Sequence, residues 1–379
     1  MIQVIADEKI PFLKGVLEPY SRVKYLPGKH ITTEEIKGAD ALLIRTRTRC
    51  TEEILKGTGV KFIGTATIGF DHIDTGYCES NNIKWVNAPG CNSSSVEQYI
   101  AAALLKISRE FRFKLRDKTI GIVGAGNVGS KVARFCNLMG MRVLINDPPR
   151  ARAEGGKGFT DLNTLLGESD IITLHVPLSF AGDDMTYHMI DEKTLKKLRR
   201  GAWLINTSRG EVAETHSLKK ARTSGKLGGI VADVWENEPS IDTGLMQLSF
   251  ITTPHIAGYS TDGKANGTSV VVNQLSACFG LPVKEWYPAN LPSPSDPVVN
   301  INGKGKEVED IIREAVEHTY NISEDDFKLR FSPSDFEKLR GDYPVRREFP
   351  AYTVNLEGSS VKTRKILESM GFVCKKDQG

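Results

Sequence analysis

The stretch Thr119–Pro148, TIGIVGAGNVGSKVARFCNLMGMRVLINDP, decides the fold. Its apolar start, Ile120 to Val123, reads as a fully buried strand. Gly124-Ala125-Gly126-Asn127-Val128-Gly129 follows, then a helical pattern with Val128, Val132, Phe135, Leu138 and Met139 on one face. A second apolar run, Val143 to Ile145, ends in Asn146-Asp147. This is a strand–helix–strand unit with its glycines at the first turn. Gly124 allows the tight turn, Gly126 lets a pyrophosphate approach the backbone, and Gly129 lets helix and strand pack closely. Asn127 and Val128 open the helix, where free N–H groups and the positive dipole end favour phosphate. Asp147 lies 18 residues after Gly129. A carboxylate there accepts from ribose hydroxyls and repels a 2′-phosphate, so the expected cofactor is NAD and not NADP. Arg150 bears on that discrimination unless it is a solvated loop charge, as its place in the sequence leads one to expect.

At 379 residues the chain has room for two or three domains. Hydrophobic residues make up 40% and charged residues 26%, as in ordinary globular proteins. The formal net charge of +3 gives no reason to expect nucleic acid. No apolar run approaches the roughly 20 residues of a membrane span. The start, MIQVIADEKI, lacks the apolar region of a signal peptide. Six scattered cysteines without metal spacing read as thiols in a reducing compartment, so the cytoplasm is the expected location and no metal is expected.

Alternating short apolar runs and helical segments before residue 90 predict a parallel sheet. Its strands are Ile2–Ala6, Ala41–Ile44, Phe62–Gly64 and Lys84–Asn87, with a short helix near Phe12–Leu17. Ser94 and Glu97 match a capping box opening a long helix. Beyond the glycine turn, four further strands end in polar residues: His175-Val176-Pro177, Asn206-Thr207-Ser208-Arg209-Gly210, Asp233-Val234-Trp235-Glu236 and Thr253-Pro254-His255. Residues 264–280 form a helix returning to the first domain. Pro288, Pro292, Pro294 and Pro297 mark a linker. The expected class is α/β: two Rossmann-like doubly wound parallel-sheet domains and a small α+β domain. Residues 1–93 with 259–285 form the discontinuous substrate domain, 94–258 the NAD-binding domain and 286–379 the last.

Ligands of such sheets sit beyond the carboxyl ends of the strands. Arg209, Glu238 and His255 are therefore the candidate catalytic set. An arginine fork matches a carboxylate with two parallel hydrogen bonds. Histidine titrates near neutral pH and suits proton abstraction from a hydroxyl. A carboxylate can orient the imidazole and stabilise its charged form. Each also has a plainer reading, as a loop charge, a solvated acid and a structural histidine. Thr207 and Ser208 at the same rim, with Asn127 and Val128, are assigned to the cofactor. His30, His188, His216 and His318 lack such context and read as structural or exposed.

The order of the glycine turn with Asp147, then NTSRG at 206–210, DVWENEP at 233–239 and TPHIAG at 253–258 resembles the D-isomer-specific 2-hydroxyacid dehydrogenases. The resemblance spans residues 1 to about 285. It implies NAD-dependent oxidation of a small 2-hydroxy acid, with Arg209 and Glu238 catalytic and His255 as proton donor or acceptor. It implies that Thr46, Thr67 and Tyr259 contact substrate, and that Asp147, Val176, Asp233 and Gly258 line the cofactor. Thr46 stands where many relatives have Ser, and Val176 where they often have Thr. IRTRT at 44–48, GTATIGFDHID at 64–74, HIAGY at 255–259 and DYPVRR at 342–347 resemble a branch acting on a 4-phospho-2,3-dihydroxy acid in pyridoxal phosphate synthesis. Such a substrate needs a separate basic site for its phosphate. Arg45, Arg47 and Arg49 would share a face if extended, and Arg346 with Arg347 is the second candidate clamp. The family implies a homodimer, for which 286–379 is a plausible contact domain. The competing readings are a 3-phosphoglycerate dehydrogenase and, from another class, a nucleotide-sensing corepressor.

Overall fold

The computed structural model of the chain describes residues 1–375. Two compact units emerge: Met1–Asn92 with Ser260–Pro292, and Ser93–Tyr259 with the chain from Ser293 onward.

The first unit holds five parallel strands, β1 (Gln3–Asp7), β2 (Arg22–Leu26), β3 (Ala41–Ile44), β4 (Phe62–Thr65) and β5 (Lys84–Val86), in the order β2-β1-β3-β4-β5. β3 and β4 are buried along their whole length, as expected of strands covered on both faces. Ile5, Leu42, Ile44 and Ile63 pack on one side. Val4, Ala6, Leu43 and Phe62 pack on the other with Val271, Val272 and Leu275 of helix Thr261–Phe279. That helix returns the chain as expected. The helix anticipated near Phe12–Leu17 is absent: the segment is a series of turns, with Phe12 and Gly15 at positive φ. β2, too polar to stand out in the sequence, lies at the sheet edge. Arg45–Arg49 is not extended either, because Thr48 N–H closes a turn onto Arg45 O at 3.2 Å. Alternation therefore does not align the three arginines.

The second unit is built on six parallel strands, β6 (Thr119–Val123), β7 (Arg142–Asn146), β8 (Ile171–Leu174), β9 (Ala202–Asn206), β10 (Leu227–Ala232) and β11 (Ile251–Thr252). Their order is β7-β6-β8-β9-β10-β11. The chain leaves β6 for β7 on one side and returns to β8 on the other. That reversal opens a crevice at the carboxyl ends of β6 and β8, the ligand position in such sheets. Helix Asn127–Leu138 buries Val132, Phe135 and Cys136 against this sheet. Full burial of a valine or phenylalanine is worth about 1.5–3 kcal/mol each. The capping box does not form. Helix Ser93–Glu110 already includes Ser94, and the buried Glu97 carboxylate takes the Arg134 guanidinium at 3.1 Å instead.

The C-terminal stretch carries a third parallel sheet, β12 (Val298–Asn302), β13 (Thr353–Glu357) and β14 (Val373–Cys374), in that order. It belongs to the same compact unit as the six-stranded sheet. Helix Val308–Thr319 lies along Ser93–Glu110, and one apolar cluster runs from Tyr99 and Ile122 to Val316 and Val354. Polar ties reinforce it. Buried Glu309 accepts from Ser108 Oγ at 2.8 Å and from Leu115 N–H at 3.0 Å, and Asp326 accepts from Thr252 N–H at 2.7 Å. Among the described residues no helix is long and apolar enough to cross a membrane, and no three His, Cys, Asp or Glu gather as a metal-holding group.

Candidate active site

The glycine turn sits at the crevice between β6 and β8. Gly124 has φ +87°, and a Cβ there would lie 2.7 Å from His175 O. At Gly129 a Cβ would stand 1.9 Å from Gly124 O, so the turn and helix touch backbone to backbone. Around Gly126 nothing lies within 4 Å of a Cβ position. Two glycines thus serve packing, and the third leaves open space at the start of helix Asn127–Leu138, where Asn127 and Val128 present the first turn. Asp147 follows β7 and accepts from Ala125 N–H at 2.8 Å and Arg150 N–H at 3.1 Å. Its carboxylate thereby fixes the turn against the second strand. Arg150 is not a free loop charge. It bonds Ala125 O, pairs with Glu154 at 2.7 Å and covers the Phe159 ring. Val176 packs against the glycine turn. This cradle, open only where a pyrophosphate needs room, fits NAD.

The loop after β9 is held by Asn206, whose importance the sequence reading missed. Its side-chain oxygen accepts from Ser208 N–H and Oγ, and its amide donates to Arg209 O at 2.9 Å. Ser208 is buried by this arrangement, and Thr207 Oγ1 lies 3.4 Å from His175 Nδ1. A Cβ on Gly210 would stand 1.9 Å from the Trp235 carbonyl carbon. The Arg209 loop and the Trp235 loop therefore meet backbone to backbone, which only glycine permits. Burial pushes the His175 imidazole down to about 3, so it is neutral across working pH.

The loops after β10 and β11 carry the other two candidates. His255 Nδ1 and Glu238 Oε2 are 2.8 Å apart. Glu238 Oε1 accepts from Trp235 N–H at 3.0 Å. Burial alone would push the Glu238 carboxyl up. The facing His255 with its hydrogen bond, Arg340 and the Trp235 amide outweigh burial and hold it below the usual carboxylate range. A carboxylate fixed on Nδ1 leaves Nε2 as the ring's working nitrogen. His255 has φ +57°, a strained backbone for a non-glycine residue.

That strain is supported from beneath. His255 N–H donates to Asp233 O at 2.7 Å, and the Asp233 carboxylate accepts from Thr253 Oγ1, Ile256 N–H and Ala257 N–H at 2.6 to 2.9 Å. Burial pushes the Asp233 carboxyl up against these bonds. Gly258 and Tyr259 continue the same turn, with Tyr259 N–H on Ile256 O. Arg346 is buried, donates to Ala257 O at 2.5 Å and lies over the Tyr320 ring. It braces this loop from within. Arg347 offers its carbonyl to Gln98. Arg340, which the sequence reading passed over, reaches Glu238 Oε2 at 3.8 Å.

In the first unit, the Arg45 loop leaves β3 beside the loop after β1, the point where that sheet reverses strand order. Arg45 donates to Lys9 O at 3.2 Å, while Thr46 is exposed. Thr67 Oγ1 donates to Gly69 O at 2.9 Å and lies 2.6 Å from Thr65 Oγ1, which in turn meets His72 Nε2 at 3.1 Å.

Comparison with known proteins gives the family. Residues 96–257 match the model of the D-isomer specific 2-hydroxyacid dehydrogenase NAD binding domain. Residues 291–371 match a domain of unknown function, DUF3410. The erythronate-4-phosphate dehydrogenase of Bacteroides thetaiotaomicron is 49% identical over 93% of this chain and 99% of its own length. That of Porphyromonas gingivalis is 39% identical over 98% of this chain and 100% of its own. The D-lactate dehydrogenase of Aquifex aeolicus, solved with NAD and lactic acid, superposes with a TM-score of 0.63 at 28% identity, covering 76% of this chain and all of its own. The chain is an NAD-dependent dehydrogenase and belongs to the D-isomer-specific 2-hydroxyacid dehydrogenase family, among the erythronate-4-phosphate dehydrogenases.

Proposed function

We propose that the chain oxidises the 2-hydroxyl of 4-phospho-D-erythronate to 3-hydroxy-2-oxo-4-phosphobutanoate, a step toward pyridoxal phosphate. The observation that carries the chemistry is the His255–Glu238 pair, a 2.8 Å contact on Nδ1 with the carboxylate held ionised. His255 Nε2 takes the hydroxyl proton as the C–O bond becomes a carbonyl. Glu238 holds the ring in one tautomer and stabilises the imidazolium that results. Arg209 clamps the substrate carboxylate and fixes the reacting carbon. NAD, when bound, accepts the hydride from that carbon. Gly124, Gly126, Asn127, Val128 and Gly129 hold its pyrophosphate, Asp147 its ribose, and Val176, Thr207, Ser208, Asp233 and Gly258 form the remaining wall.

Thr46, Thr67 and Tyr259 contact the substrate in this reading, and Arg45 supplies positive charge for its phosphate. The Thr65–Thr67–His72 chain supports a fixed hydroxyl at position 67. The names of the relatives support the phosphorylated substrate. We further infer a homodimer through the C-terminal stretch. The stacked Phe327 and Phe331, 66% and 78% exposed, support a covered apolar face there. The six free cysteines favour a reducing cytoplasm.

The test is NADH formation at 340 nm with NAD and either 4-phospho-D-erythronate or D-3-phosphoglycerate, with a 2-oxo acid added separately to recycle bound NADH. A higher kcat/KM for phosphoerythronate is expected. Preference for phosphoglycerate would overturn the substrate while leaving the dehydrogenase chemistry. Silence with both would refute the substrate class.

A further inference from the structure

We propose that Arg340 is a positioning residue of the catalytic pair: its guanidinium, supplied by the C-terminal stretch, holds the Glu238 carboxylate that in turn holds His255. This rests on the reading of Glu238 and His255 as the proton-transfer pair.

Arg340 lies on the short helix Phe336–Gly341. Its Nη1 is 3.8 Å from Glu238 Oε2, the same oxygen that meets His255 Nδ1. The other oxygen, Oε1, is taken by the Trp235 amide. The carboxylate is thus approached from its own loop, from the imidazole and from the C-terminal stretch. Arg340 is itself confined. Its guanidinium carbon sits 5.6 Å from the centre of the Tyr259 ring and 5.9 Å from that of Phe336. A cation between two aromatic faces is held electrostatically as well as by packing. The Arg340 Nε is buried without a hydrogen-bond partner. A buried donor left unpaired carries a cost, so the guanidinium is kept in this place against a local penalty. Arg340 and Glu238 side chains are 25% and 20% exposed, so solvent screens the pair less than the surface ion pairs elsewhere in the chain.

The charged groups acting on the pair are few. From beneath the His255 backbone comes Asp233, and from the C-terminal stretch comes Arg340. Arg346 faces Asp233 together with Asp325, Tyr320 and Tyr343. Of these, only Arg340 places a cation on the carboxylate that orients the imidazole. Its removal leaves Glu238 fastened by Trp235 and His255 alone. The ring then loses orientation, and misplacement of a reacting group by about 1 Å costs on the order of 10²-fold in rate. Loss of the cation also favours the protonated form of the pair.

The experiment compares wild type with R340Q, R340M and R340K. R340M keeps the apolar stem between Phe336 and Tyr259 and secures a folded variant without the charge. The expected result is a kcat lower by on the order of 10²-fold in R340Q and R340M with KM nearly unchanged. The acid limb of the kcat/KM profile should move to higher pH, and R340K should return it toward wild type. The His255 ring signal in a proton NMR titration, assigned with H255N, should move the same way without reference to turnover. A raised KM for phosphorylated substrate with kcat and the acid limb unmoved would make Arg340 a substrate anchor and overturn the proposal. Unchanged kinetics and an unmoved His255 titration would also overturn it. Wild-type silence toward phosphoerythronate would count against the substrate reading alone, since the NMR titration still decides the role of Arg340.

Discussion

Asp233 illustrates how a side chain can be assigned to a ligand and yet work on its own loop. Its carboxylate is 1% exposed and occupied by one hydroxyl and two amides of the 253–257 turn. It fixes the backbone on which His255 sits at positive φ, beside the place in the cofactor wall proposed for it. His175 is a comparable case with a measurable signature. Its ring lies between Thr173 Oγ1 at 3.0 Å and Thr207 Oγ1 at 3.4 Å, and burial holds it near 3. An unfolded histidine titrates near 6.5. Between those values the unfolded chain binds a proton that the folded chain refuses. Stability is therefore fully present above about 6.5 and falls as pH drops toward 3, by at most about 1.4 kcal/mol per pH unit. His175→Gln should flatten this part of the Tm-against-pH curve, as followed by circular dichroism. A slope identical to wild type would mean that His175 does not contribute it.

At the scale of elements, the glycine turn makes two opposite demands. Gly129→Ala would drive a methyl to 1.9 Å from Gly124 O and should destabilise the helix–strand contact by about 1–3 kcal/mol or more. Gly126→Ala meets open space, so its stability cost is only that of Ala for Gly at a helix N-cap, about 0.5–1 kcal/mol. It should lower Tm less than Gly129→Ala does while weakening NAD binding by at least about tenfold, that is about 1.4 kcal/mol, as read by titration of NADH fluorescence. The two substitutions separate packing from ligand space. This turn was legible in the sequence because spacing and burial of single residues define it. The strand ends bearing Arg209, Glu238 and His255 were legible for the same reason, since each follows a short apolar run. Asn206 and Arg340 were not. Asn206 acts through bonds to its own loop that spacing does not reveal. Arg340 reaches Glu238 across 102 positions of chain, a proximity only tertiary structure creates. The Phe12–Leu17 helix failed because local apolar spacing says nothing of two residues at positive φ. The capping box failed because Arg134 offers Glu97 a stronger partner than a backbone amide.

At the scale of the molecule, the stretch beyond Pro292 shares an apolar cluster and buried polar ties with the nucleotide-binding sheet. Removing it would strand Leu115 N–H and Thr252 N–H without their acceptors and uncover the face of helix Ser93–Glu110. A chain ending at residue 292 should therefore aggregate or bind a hydrophobic dye strongly. Hydrogen exchange in the full chain should show β12 and β13 opening together with β6 and β9. A soluble, NAD-binding 1–292 fragment would show that the stretch is dispensable to the fold. The other compact unit bears on synthesis in a different way. Its sheet is completed by Val271, Val272 and Leu275, which the ribosome delivers long after residue 92. At about 5–20 residues per second, the gap is on the order of 10–30 s. During that interval Ile10, Leu13 and Leu17 alone cover the face of the nascent sheet that bears Leu43 and Phe62, and the helix that completes it is still to be made. The amino-terminal strands, although the first to be made, are thus among the last to have their core completed.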